Sequence, residues 1–162
     1  MPPSAKKLIR AALALAPILA GASWAAPPQY LPVEAQWCLA KGPCIQLEVP
    51  NTPQQYAWGL QLRPPLSPLR GMWFRFEPAG VQRFWMHRTP EPLDMLFVRN
   101  GQVLAIEAKV PPCMHLPCRS YGPDLPVDGV IELAAGRSQQ LGIGIGSPVT
   151  IKPVPPATRT RD

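Results

Sequence analysis

The chain has 162 residues, 24 of them proline, roughly three times the usual proline share of about 5%, and this excludes an architecture of long helices. Its 46% hydrophobic content and five tryptophans suffice for one packed core and exclude wholesale disorder. The formal charge of +6 is concentrated at the ends, with Lys6, Lys7 and Arg10 near one and Lys152, Arg159 and Arg161 near the other, so the body is close to neutral and no nucleic-acid partner is expected.

Residues 1–25 run from the basic trio through the apolar stretch Ala11 to Ala22 to small residues around Ser23 to Ala25, the order of a secretory signal peptide. The apolar stretch is too short to span a bilayer and Pro17 interrupts it, so cleavage after Ala22 or Ala25 is expected. With no later run of spanning length, the mature chain is expected in the periplasm or outside the cell, without a transmembrane segment. Residues 26–43 read as a proline-rich linker that carries the first half of a cysteine pair, Cys38 with Cys44.

An even cysteine count fits an oxidising compartment. Local pairing of Cys38 with Cys44 and of Cys113 with Cys118 closes short loops, worth about 2 kcal/mol each on loop entropy, against about 4.5 for a crossed bridge. Local pairing is nevertheless expected, because Cys113-Met-His-Leu-Pro-Cys118 is a proline-bent loop whose ends can meet. The spacing is not that of a redox pair, and two histidines are too few for a structural zinc site.

Cys44-Ile-Gln-Leu-Glu-Val49 alternates with period two and predicts a strand. Thr52, Pro53 and Gln55 form a capping box with proline at the first helical position, predicting a helix to about Leu62. Gly71 to Phe76 and Gln82 to Met86 read as aromatic strands with a turn over 78–80. Leu93 to Val98 and Gln102 to Ala108 flank Asn100-Gly101, a hairpin signal because both positions tolerate positive φ. After a loop over 111–126, Gly129 to Leu133 reads as a strand, Ser138 to Leu141 as one helical turn, and Ser147 to Ile151 as a closing strand. The fold class is therefore mainly β, a single jelly-roll-like sandwich or barrel with one short capped helix, spanning 44–152 and followed by a disordered tail over 153–162.

Gly59-Leu60, Arg63, Leu66, Gly71-Met72 with Phe74 and Phe76, Phe84-Trp85-Met86, Thr89, Pro92-Leu93-Asp94 and Phe97 occur in this order, followed by Tyr121, Glu132-Leu133, Ala135-Gly136 and Gly142 to Gly146. The pattern resembles the DUF192 family, a domain of unknown function, over about residues 45–151. The resemblance implies a mainly β, jelly-roll-like domain, often exported from bacteria, and no activity. Two departures stand out: the family's Gly-Leu-Met is Gly59-Leu60-Gln61 here, and its Trp-Met-Lys-Asn-Thr is Trp85-Met86-His87-Arg88-Thr89.

Candidate ligand-binding residues are Arg63, Trp85, His87, Asp94 and Tyr121. Asp94 heads an apolar strand, so its carboxylate needs partners: loop N–H groups, Arg63 or Arg88. Glu91, Glu107 and Glu132 are available as a second carboxylate for acid–base work. Met86-His87 and Met114-His115 supply thioether and imidazole, which together suit copper, but no metal and no cofactor is expected. Trp58, Trp73 and Trp85 read as core residues or as platforms for a sugar ring. No serine sits in a Gly-x-Ser-x-Gly elbow, and Gly142 to Gly146 lacks the features of a dinucleotide fingerprint. The expected function is that of an exported binding domain for a small molecule, glycan or envelope partner. The alternative is a hydrolase-like or metal-using envelope enzyme with Asp94 and His87 in its site.

Overall fold

A computed structural model describes residues 26–154. The expected signal peptide lies outside the described residues, as does the part from 155 onward of the tail expected over 153–162, whose first residue, Pro153, pairs with Ala35 in the last strand instead. Among the described residues there are nine strands and two short helices: β1 (Val33–Cys38), β2 (Cys44–Glu48), α1 (Pro53–Trp58), β3 (Arg70–Gly80), β4 (Phe84–Trp85), β5 (Leu93–Arg99), β6 (Gln102–Val110), β7 (Ser120–Tyr121), β8 (Val127–Ala134), α2 (Arg137–Gln140) and β9 (Ile151–Pro153). Seven strands form one mixed sheet in the order β6-β5-β8-β3-β2-β1-β9, and β4 and β7 form a separate pair. The expectation of a sandwich or barrel is thereby narrowed to a mainly β fold. Among the described residues β6 and β9 end the order and do not close on each other.

The sheet is mixed because β2 and β3 run parallel, Leu47 opposite Gly71 and Glu48 opposite Met72. A parallel pair needs a crossover, and α1 supplies part of it. Thr52 Oγ1 accepts from the Gln55 N–H while the Gln55 side chain accepts from the Thr52 N–H, the expected reciprocal cap. The helix stops at Trp58 and not at Leu62, because Gly59 and Leu62 both adopt positive φ, 50° and 58°.

Three further expectations are corrected. Residues 33–38, placed in a linker, form β1, whose Ala35 and Trp37 are buried against β2 and β9. Proline density around them masks an ordinary alternating strand. The turn over 78–80 is absent: β3 runs on to Gly80, which pairs with Val127 after a register shift. The final strand begins at Ile151, with Pro148 limited to an isolated bridge to Gln102. The Asn100-Gly101 turn forms as expected, with φ values of 50° and 70°.

Both faces of the sheet are buried, which is why Leu93 to Val98 reads as a nearly continuous apolar run. Leu96, Val98, Ile131 and Leu133 join Trp37, Ile45 and Leu47 on one face. Met95, Phe97 and Val130 join Met72, Phe74, Met86 and Leu60 on the other. Both disulfides are local, Cys38–Cys44 and Cys113–Cys118. The first joins directly opposed residues of β1 and β2.

Candidate functional site

Arg63 leaves the α1 crossover pointing inward. The Leu62 N–H donates to the Arg88 carbonyl at 2.8 Å, fixing the backbone beside it. Arg63 Nη1 and Nη2 then donate to the two carboxylate oxygens of Glu48 at 2.8 and 3.0 Å, with both side chains buried. This two-pronged geometry suits a guanidinium better than an ammonium. Nη1 also donates to the Gln29 carbonyl at 3.1 Å, and the Leu31 N–H donates to Glu48 at 3.0 Å, so the pair ties the segment before β1 to the sheet. The guanidinium lies under the Tyr30 ring, 4.3 Å from its centroid. Its buried Nε has no hydrogen-bond partner among the described residues.

Beside this pair lies an open cleft of about 440 Å³ whose walls include Tyr30, Gln46, Arg63, Pro65, Ser67 and Arg70. Arg70 stands at its rim, its Nε 3.7 Å from Glu48. The walls carry two guanidinium groups and no carboxylate. An anion with an apolar body fits that chemistry: charge toward the arginines, hydroxyl and amide from Ser67 and Gln46, and a flat face toward Tyr30 and the prolines.

Asp94 is not part of this cleft. It lies on the Leu96 and Val98 face of β5, fully buried. Oδ1 accepts from the Lys109 and Gly136 N–H groups at 2.8 and 2.9 Å. Oδ2 accepts from the Ser138 N–H at 2.9 Å and the Ser138 hydroxyl at 2.6 Å. Lys109 sits at φ 51°, where two residues of β6, Ala108 and Lys109, face one of β5, Asp94, across the shift between Leu93 and Met95. Burial pushes the carboxyl's pKa up, but the Ser138 hydroxyl and the three N–H groups outweigh it and leave the pKa below its ordinary 3.8. The loop N–H partners anticipated for Asp94 are present. Arg63 and Arg88 do not pair with it.

The remaining candidates divide again. Phe84 opposes Tyr121 and Trp85 opposes Ser120 in the β4–β7 pair. Alternation turns Phe84 and Tyr121 toward the core face of Phe74 and Phe97, and turns Trp85 outward. Trp85 and His87 stay together, ring centroids 5.1 Å apart. The structure thus sets Asp94 on the sheet face opposite Arg63 and the Trp85–His87 pair. Of the tryptophans, Trp73 is buried and Trp85 exposed. Among the described residues no group of three metal-ligating His, Cys, Asp or Glu side chains occurs.

Sequence reasoning missed Glu48 as the partner of Arg63. Its alternating position in Cys44 to Val49 reads as solvent-facing, whereas the Tyr30–Leu31 segment and Arg63 cover it. Glu132, considered as a second carboxylate, is buried instead in a row across five strands: Glu48, Met72, Glu132, Met95 and Glu107 are successive cross-strand partners. Flanked by two methionines, its carboxyl is pushed up to about 8 by desolvation.

Comparison with known proteins gives two solved structures of similar fold. One, from Novosphingobium aromaticivorans and of unknown function, is 28% identical with a TM-score of 0.64, covering 79% of this chain and 94% of its own. The other, a candidate transcription regulator from Sinorhizobium meliloti, is 28% identical with a TM-score of 0.63, covering 74% and 92%. No curated protein matches the chain. The family described as DUF192, uncharacterized ACR, matches residues 37–151, most of the described structure. The chain therefore belongs to the DUF192 family.

Proposed function

We propose that this is an exported binding domain whose ligand is a small organic anion held in the cleft between Tyr30, Arg63 and Arg70. The observation that carries the reading is the excess of positive charge on the cleft walls, two guanidinium groups with no lining carboxylate. Glu48 holds Arg63 in place and offsets one of the two charges, which leaves Arg70 to meet the ligand. Binding through a rigid cleft needs only these convergent groups and no reacting residue. Two disulfides support an oxidising compartment, in keeping with export.

The hydrolase-like alternative draws little support from Asp94, whose two oxygens already accept four hydrogen bonds on the opposite face of the sheet from the β4–β7 pair. Calorimetric titration with a panel of cyclic and aromatic carboxylates and phosphate monoesters tests the binding reading. At least one member is expected to bind with 1:1 stoichiometry, and Arg70→Ala is expected to abolish it while leaving the fold intact. If no member binds, or if Arg70→Ala binds as the parent does, the cleft is not the site.

A further inference from the structure

The lobe built from β4, β7 and the loop before β7 carries a surface of a different kind. Trp85 is 47% exposed, Met114 44% and Leu116 62%. These are large apolar side chains on one connected piece of structure. The Arg88 N–H donates to the Cys113 carbonyl at 2.9 Å, the Cys113 N–H donates to the Met86 carbonyl at 3.2 Å, and Trp85 opposes Ser120. The Cys113–Cys118 bridge closes the loop that carries Met114 and Leu116. The apolar tips are thus presented on braced backbone, so that docking them costs little further ordering.

Charge decides what this surface suits. Residues 78–90 and 111–123 contain Arg83, Arg88, Arg119, His87 and His115, and neither stretch contains an aspartate or glutamate, Glu91 and Asp124 lying just beyond them. Arg83 is paired with Asp124. Arg88 and Arg119 lie instead over the rings of Trp58 and Tyr121, at 5.3 and 5.1 Å, with no carboxylate partner among the described residues. A sugar site would set free carboxylate acceptors beside its aromatic ring to take the hydroxyl protons, and the carboxylate that meets an arginine of this lobe, Asp124, is taken up by Arg83. A bilayer interface asks for what is present: tryptophan and aliphatic tips for the headgroup boundary, and guanidinium groups for lipid phosphate. No helix among the described residues is long and apolar enough to cross a membrane. From this arrangement we infer that the lobe docks on the surface of an anionic phospholipid bilayer.

The test is co-sedimentation of the full chain with vesicles of phosphatidylcholine alone and of phosphatidylcholine mixed with phosphatidylglycerol. The parent is compared with the double variant Trp85→Ser, Leu116→Ser and with Arg119→Ala. All three carry the same N-terminal segment, so a difference between them reports the lobe. Expected are binding to the anionic vesicles that weakens with salt, its loss in the double variant, and a roughly fivefold weaker affinity for Arg119→Ala. Because the substituted side chains are exposed, thermal unfolding midpoints should match the parent's. Should the double variant fold poorly, Arg119→Ala and the salt dependence still decide. Equal binding to both vesicle types, or variants that bind like the parent, would overturn the proposal. So would absence of vesicle binding combined with a thermal shift on adding soluble glycan fragments, an outcome that assigns the lobe to sugar.

Discussion

The indole of Trp73 lies across Gly129 so closely that a Cβ at that glycine would stand 1.8 Å from a ring carbon. Trp73 is directly opposite Ile131 on β8 and leans along that strand over the one position without a side chain. Gly129→Ala must therefore displace the ring from a core that includes Leu47, Leu133 and Ile131. We predict a loss of about 2 kcal/mol or more, read as a lower urea midpoint with unchanged slope. A variant as stable as the parent would mean that the ring moves without cost.

Asp94 holds four donors at one point of the fold. Removing its carboxylate in Asp94→Ala leaves the Lys109, Gly136 and Ser138 N–H groups and the Ser138 hydroxyl without that acceptor. The expected cost is about 3 kcal/mol, with early hydrogen exchange in α2. Because the folded pKa lies below the ordinary 3.8, this group's contribution is complete above that value and is lost as pH falls through the folded pKa.

Glu132 gives the opposite slope. Its folded pKa of about 8 exceeds the ordinary 4.5, so the folded state holds a proton that the unfolded state has released. Stability is complete below the ordinary value and declines as pH rises toward 8. On the same face Glu48 and Glu107 stand two strands away on either side, and Arg63 pairs with Glu48. Thermal midpoints measured across pH 4 to 8 should fall with rising pH in the parent and flatten in Glu132→Gln, with the variant ahead at the alkaline end. A parent profile that is flat over this range would refute the assignment.

Cys113→Ser with Cys118→Ser should cost about 2 kcal/mol, the worth of closing a short loop. Loss of exchange protection should be confined to the loop before β7 and to its partners around Met86 and Arg88. If protection also falls in β1 and β2, the bridge supports more of the sheet than its contacts indicate.

Local chemistry was legible where one signal acts alone. Thr52, Pro53 and Gln55 announce the start of α1, Asn100-Gly101 announces its hairpin, and the short cysteine spacings match the bridges observed. Signals that depend on what covers a strand were not legible. Glu48 and Gln46 occupy equivalent alternating positions, yet Glu48 is buried and Gln46 borders a cleft. The proposed grouping of Asp94 with Arg63 and His87 failed for a related reason: a strand alternates faces, and no single position in the sequence states which layer lies over which face.

The two ends of the strand order bear on how the molecule behaves at high concentration. β9 is only three residues long and finishes at Pro153, which has no N–H to offer a newcomer. At the far end β6 is interrupted twice by register shifts and carries Glu107 and Lys109. Neither border presents the long, flat row of free donors and acceptors that recruits another chain. A protein with so many apolar residues in its strands is therefore protected against stacking into fibrils by how its outermost strands finish.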